Sequence, residues 1–438
     1  MQSEVALNVQ QSIRPGECID LYYSGMENSD KACHATVEDN RFFLGFNALN
    51  SGGSTTLTFN PNEGLGEVIL SLVLAAPTAN GAGVVGTGLA LPQGWGYSMI
   101  RRVGYRYGSS QLYYINSTQN LGQSVALCED SDKKQQLVFL GGQALTTPAD
   151  WQNVAKRTAY VYLRLPHSSP AVAGGALPFP TDVLTAPVQI QIDFADFTSI
   201  ISQNTGTGST PANVSSPPTQ FSLAQANFTQ ITMQDSADLV ARRFDMSRNA
   251  LTIPLPESWT QEAVSFPIVP GGDGSFSVSL TGCKAGDLKA LRLFFVKNAD
   301  ISTVATAIKN PGYWTAPSQV TFAINGLIYF DSRSGSYLLN QLLRRRTPAK
   351  YDYSYLTSDG AGQYTVVPQA SQWVEINLGQ PHVIGDTGRT ALVHGVPVMN
   401  SVLSLSGLMP TTDAYTLFCE YDLNCSWMAS RGSAEFVF

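Results

Sequence analysis

The segment Gly53–Leu74, GSTTLTFNPNEGLGEVILSLVL, returns 221 positions later as Gly274–Phe295, GSFSVSLTGCKAGDLKALRLFF, and the two align without a gap. Each copy opens Gly-Ser and then alternates. Thr55, Leu57 and Phe59 share one face in the first copy, and Phe276, Val278 and Leu280 share it in the second. Each then crosses a polar turn holding glycine and closes in an apolar run, Ile69–Leu74 or Ala290–Phe295. Alternation, turn and apolar run together predict two strands of a sheet with one face buried. A repeat spaced at about half the chain restricts the molecule to two versions of one β-domain.

A second pair of stretches keeps nearly the same register. Gly94–Asn116 carries alternating residues Met99, Val103, Tyr105 and Tyr107 up to a turn at Gly108-Ser109-Ser110. Gln319–Phe330 turns at Asn325-Gly326, a strong hairpin signal. From Gly108 to Gly326 the shift is 218.

The 438 residues suffice for two domains, each able to bury its own core. Apolar residues make up 43% and charged residues only 13%, about half the usual share. With 38 Gly and 24 Pro, that balance fits an all-β chain with many turns. It also fits a surface covered in part by partners. The net charge of -7 argues against wrapping nucleic acid and against direct, sequence-specific nucleic-acid binding. No apolar segment follows Met1, so no secretory signal is expected. The run Val68–Pro77 is too short to span a bilayer and is broken by Ser71.

Read in order, residues 1–52 form an N-terminal arm with weak strand signals at Ile19–Tyr23 and Arg41–Phe46. Such an arm either ties a subunit to a neighbour or is a simple leading strand. Strands are expected at Val154–Leu165, Val188–Phe194, Asn227–Met233, Trp373–Leu378, Leu392–Leu408, Tyr415–Tyr421 and Cys425–Met428. Short helices are expected at Ser124–Asp132 and at Asp235–Asp245, where Leu239, Val240 and Phe244 share a face. Ser202–Gln220, SQNTGTGSTPANVSSPPTQ, has the composition of a linker. The strand and helix after it complete the first domain, so it reads as a long exposed loop and the boundary falls at Asn249–Glu257. The first domain is then 53–250 and the second 251–438. About eight short strands per half, with little helix, predicts two eight-stranded antiparallel jelly rolls in tandem.

Reactive chemistry is sparse. The histidines, His34, His167, His382 and His394, have no metal spacing, and Cys33-His34 with Cys18 lacks an evident fourth ligand. The six cysteines, Cys18, Cys33, Cys128, Cys283, Cys419 and Cys425, read as reduced and mostly buried thiols. The sequons at Asn116, Asn213, Asn227 and Asn424 read as chance matches without an export signal. No nucleophile elbow, phosphate loop or dinucleotide fingerprint occurs. Asp130, Asp132, Glu262, Asp287 and Glu375 have no distinguishing context as a carboxylate pair. Arg344-Arg345-Arg346 with Lys350 is the strongest charge cluster. It is either a solvated loop or a contact to an acidic subunit, lipid or nucleic acid. Arg101-Arg102 and Arg242-Arg243 are expected to pair with local carboxylates. No catalytic, cofactor-binding or metal residue is assigned, and no enzymatic activity is expected.

Several of these stretches resemble one family. Leu57–Leu74, Gly96–Asn116, Ala176–Ile192 (ALPFPTDVLTAPVQIQI) and Thr229–Phe244 are similar to successive parts of the first barrel of double jelly-roll major capsid proteins. Those proteins come from eukaryotic double-stranded DNA viruses of the nucleocytoplasmic large DNA virus and polinton-like lineage. Leu288–Val296, Phe322–Phe330 with its Asn-Gly turn, and Tyr421–Phe438 resemble the second barrel. The resemblance covers nearly the whole chain in scattered motifs.

It implies a virion shell protein, assembled in host cytoplasm or nucleus. Homotrimers would form pseudo-hexagonal blocks that tile an icosahedral facet. Its partners would be itself, neighbouring capsomers, penton and minor capsid proteins, and a lipid membrane where one underlies the shell. Ser117–Asn153, Ser202–Gln220 and Arg344–Gln363 would supply the outer crown or the seam between capsomers. Two other readings stay open: a two-jelly-roll hydrolase of glycans or glycopeptides, and a minor capsid or carbohydrate-binding decoration protein.

Overall fold

The fold is given by a computed structural model that describes residues 34–37, 49–59, 64–107, 113–116, 140–163, 179–180, 186–203, 213–233, 251–254, 264–283, 286–304, 308–332, 350–358, 363–378, 381–384, 389–392, 395–423, 426–430 and 433–437. The first half contains β1 (His34–Val37), β2 (Leu49–Asn50), β3 (Ser54–Phe59), β4 (Gly64–Leu74), β5 (Leu89–Ala90) and β6 (Ile100–Tyr107). It continues with β7 (Tyr113–Asn116), β8 (Thr158–Leu163), β9 (Phe179–Pro180), β10 (Val188–Phe194), β11 (Ser202–Gln203) and β12 (Gln220–Met233). The second half contains β13 (Leu251–Pro254), β14 (Val264–Ile268), β15 (Ser275–Leu280), β16 (Asp287–Lys297), β17 (Gln319–Ile324), β18 (Leu327–Ser332), β19 (Lys350–Ser358) and β20 (Tyr364–Gln372). There follow β21 (Val374–Asn377), β22 (Pro381–Ile384), β23 (Arg389–Leu392), β24 (Val396–Pro397), β25 (Leu403–Leu408), β26 (Tyr415–Leu423), β27 (Ser426–Ser430) and β28 (Ser433–Val437).

Two pairs of sheets repeat one topology. In the first half β3-β10-β6-β7 faces a sheet in which β2 pairs β12, followed by β4 and β8. In the second half the same places are taken by β15-β25-β17-β18 and β14-β26-β16-β21. All these pairings are antiparallel. Eight strands wound into two sheets in this order make a jelly roll, so the chain is a double jelly roll.

The repeated strands have one difference from expectation. β3 and β4 do not pair with each other: β3 pairs β10, while β4 pairs β12 and β8. β15 and β16 divide in the same way between β25 and β26. The repeat is therefore a crossing from one sheet to the other. Gly64 and Gly66, expected in the turn, are already part of β4, and the apolar faces of the two strands meet across the core.

Alternation places the cores. Val188, Ile190, Ile192 and Phe194 of β10 all point inward and are buried, as are Leu57 and Phe59 of β3 and Leu70, Leu72 and Leu74 of β4. Met99 belongs to a short buried helix, Trp95–Met99, rather than to the expected strand, which begins at Ile100. A second short helix, Pro148–Gln152, is capped by Thr147, whose side chain accepts from the Asp150 amide. The Asn325-Gly326 turn forms as expected. Both residues take positive φ, 51° and 81°, matching the twist of β17 and β18.

The helices expected at Ser124–Asp132 and Asp235–Asp245 lie outside the described residues, as do the strand signals at Ile19–Tyr23 and Arg41–Phe46. Within the span read as an arm, β1 pairs the end of β12 and β2 pairs its start.

Candidate functional site

The residues singled out for chemistry do not converge. Asp287 opens β16 and Glu375 sits on β21, while Asp130, Asp132 and Glu262 lie outside the described residues. His34 and His382 fall on β1 and β22, in separate sheets, and His167 and His394 are not described. Burial raises the pKa values of the Cys283 and Cys419 thiols. Cys18, Cys33, Cys128 and Cys425 are outside the described residues, and so are Arg344-Arg345-Arg346 and Arg242-Arg243. Lys350 begins β19. Arg102 pairs with Asp193 across β6 and β10, as expected of a local partner. Among the described residues no three His, Cys, Asp or Glu side chains gather as a metal site. No helix among them is long and apolar enough to cross a membrane.

What the chain does build is a joint between its two jelly rolls. In the second, β16 has lost its alternation: Ala290 to Val296 are buried without a break. Leu291, Leu293 and Phe295 fill its own core, while Phe294 and Val296 point the other way and join the first core. Trp314 and Trp373 complete that contact. Phe294 lies 5.1 Å from Trp314 and 5.7 Å from Trp373, ring centre to ring centre. The two indoles stack 6.4 Å apart at 14°. Aromatic pairs at such spacings add about 0.5–1.5 kcal/mol each beyond their area. On the same outer face Arg292 donates to Glu420 at 2.7 Å, and both are almost fully buried. A pair desolvated to this degree fixes geometry, and breaking one partner costs about 3–5 kcal/mol.

The register shows that the joint is made at one end. β4, β8 and β10 meet the connections 75–99, 140–157 and 195–219 at the end marked by Leu74, Thr158 and Phe194. In the second half 298–318 and the hairpin β19–β20 leave from the corresponding end. These connections interlock. The Lys309 amide donates to Ser202 Oγ at 2.8 Å, and Lys309 Nζ donates to the Thr198 carbonyl. Ala90 of β5 packs with Leu356 and Tyr364 of the hairpin. Because corresponding ends interlock, the jelly rolls stand side by side with the same polarity.

Polar groups lock this crown. Asn310 Nδ2 donates to the Leu356 carbonyl at 3.3 Å, and its Oδ1 accepts from the Leu356 amide at 2.7 Å. The Asn310 amide donates to Asp300 Oδ1 at 3.2 Å. Burial pushes the Asp300 carboxyl up to about 7, opposed by the Asn310 amide and by Lys297. Lys297 pairs with Asp413 at 2.7 Å, and this hydrogen bond raises its pKa.

The Ser202–Gln220 stretch differs from the exposed loop its composition suggests. Ser202, Val214 and Ser215 are buried. β11 pairs β5, and Ser215 Oγ accepts from the Gly86 amide at 2.8 Å and donates to the Val84 carbonyl at 3.1 Å. Its small hydroxyl residues serve as hydrogen-bonding pins. Likewise 350–358, inside the expected loop Arg344–Gln363, is a strand.

No protein-family model matches the chain, and no curated protein matches it in sequence. Solved structures do match in fold. A quasi-atomic model of the PBCV-1 virus capsid superposes with a TM-score of 0.54 at 10% identity, over 93% of this chain and 97% of that one. The Faustovirus major capsid protein gives 0.53 at 8% identity, over 91% and 90%. PBCV-1 VP54, fitted into a reconstruction of the virophage Sputnik, gives 0.51 at 12%, over 92% and 99%. At these identities the likeness is one of fold, and it extends through both jelly rolls.

Proposed function

We propose that this chain is a major capsid protein that assembles as a pseudo-hexagonal homotrimer and tiles an icosahedral virion shell. The observation that carries this reading is the joint. Two jelly rolls of one topology stand side by side with one polarity, locked by a buried aromatic cluster and an interlocked crown. Three such pairs, related by one heterologous contact that closes after three copies, make a six-lobed ring. The fold shared end to end with viral capsid structures supports the same role.

On this reading residues 53–250 and 251–438 are the two wall units and 1–52 is an arm. The chain works in the virion, after assembly in the cytoplasm or nucleus of a host cell. Its partners are further copies, penton and minor capsid proteins, and a membrane where one lies beneath the shell. Its role is structural, and it needs no catalytic step.

Light scattering on the purified chain tests the reading. The expected mass is three times 47.1 kDa. A stable monomer, above all one that cleaves glycans, would overturn it.

A further inference from the structure

The connection that follows β16 ties three parts of the crown together through neighbouring residues. Asp300 is buried, and Asn310 donates its amide to Asp300 Oδ1 at 3.2 Å. The Asn310 side chain holds both the amide and the carbonyl of Leu356 on β19. Lys309, one residue earlier, is fully buried and holds Ser202 and the Thr198 carbonyl of the first jelly roll. The first jelly roll and the hairpin β19–β20 are thus fastened to two consecutive residues, and Asp300 backs them.

We propose that Asp300 is a proton-operated latch: with its proton it holds the crown closed, and on losing that proton to solvent it releases the hairpin β19–β20 from the joint while both jelly rolls stay folded. The latch acts inside one chain and so goes beyond the assembly reading.

Burial and partners set the chemistry. Asp300 is only 8% exposed, and among the described residues the Asn310 amide is its one hydrogen-bond donor. A carboxylate so placed has given up its hydration for one neutral donor, which favours the protonated form. The surrounding charges do little to reverse this. Lys297 at the end of β16 favours the anion, but it is paired with Asp413 of the 409–414 connection, whose charge opposes it. Tyr313 is uncharged, since burial, Tyr355 of β19 and Asp300 itself raise its pKa. Lys309 is engaged with Thr198 and Asp196 instead. The carboxyl is accordingly pushed up to about 7. Once ionised it regains water only when Asn310 moves aside, and that movement breaks both bonds to Leu356. A two-stranded hairpin on its own is marginal in water, so the released β19–β20 opens to exchange.

The sign follows from the two states. The closed carboxyl titrates near 7 and the hydrated one near 3.8, so the closed crown loses stability as pH rises between those values and no more above them.

Hydrogen exchange of the full-length chain, read by mass spectrometry and corrected for the intrinsic pH dependence of exchange, tests the latch. From pH 5 to pH 7 the opening of the hairpin β19–β20 should rise roughly fiftyfold. β10 is opened only by global unfolding, and it should stay about a hundredfold or more better protected at both pH values. Asp300→Asn keeps the acceptor for the Asn310 amide and cannot ionise, so its hairpin should show no pH step. A step that persists in Asp300→Asn, a hairpin that exchanges no faster than β10, or no step in the unaltered chain would overturn the latch. Asn310→Ala supplies a check that leaves Asp300 in place. Its hairpin should already exchange at pH 5 as fast as the unaltered hairpin does at pH 7, with β10 still protected. Protection at pH 5 equal to that of the unaltered chain would overturn the latch as well.

Discussion

The Asp300 carboxyl sits under the joint, with Lys297, Asp413 and the Asn310 amide facing it. Burial outweighs the cation and the amide and lifts its pKa from 3.8 to about 7. Between those values the folded chain keeps a proton that the unfolded chain has released, so stability falls as pH rises through the window and levels off above it. Asp150 behaves oppositely. Burial pushes it up, but Lys156, Thr147 and the Thr146 amide pull it down to about 2, so its contribution is lost only as pH falls below 3.8. Asp300→Asn should therefore gain melting temperature over the unaltered chain on going from about pH 4 to pH 7, with little further change above. Melting curves that stay parallel across that range would contradict the assignment. Nothing in the surrounding sequence, VKNADIST, marks Asp300, because its chemistry depends on Asn310 and Asp413, which only the fold brings near. Trp314 and Trp373 were silent for the same reason.

Among the elements, β10 and the Asn325-Gly326 hairpin were plain in the sequence, since period-2 burial and a positive-φ turn are local properties. The duplicated pair β3–β4 was equally plain as two strands, yet its pairing was not. Alternation reports which face is buried and says nothing of which strand lies alongside, so a sheet-to-sheet crossing reads like a hairpin. One signal for the joint was available. LKALRLFFV on β16 is apolar on both faces near its end, which a strand in a one-sided sheet has no need to be. The crown was less legible, because Ser202–Gln220 has the composition of a linker although Ser202 and Ser215 are hydrogen-bonded and buried. Near the end of β25 Gly407 lies between β15 and β17, and a Cβ there would sit 2.0 Å from the Gln319 carbonyl oxygen. A backbone atom held on both sides cannot yield. Gly407→Ala should cost more than the about 1–3 kcal/mol of ordinary overpacking, whereas Ser406→Ala next to it should be nearly neutral. Chemical denaturation of the two variants checks this, and equal midpoints would contradict it.

For the whole molecule, low charge, internal duplication and one polarity for both jelly rolls point the same way. A chain that must present side walls to neighbours gains from hydroxyl and apolar faces. It also gains from two halves that share a fold while differing in what covers them. The outer face of β16, where Phe294 and Val296 join the core of the first half, shows this most plainly. Electron microscopy of the purified particle is the most direct test. The account predicts a threefold particle whose projection along its axis shows six lobes of similar size, one for each jelly roll. A two-lobed particle the size of one chain, or a threefold particle without six matched lobes, would contradict it.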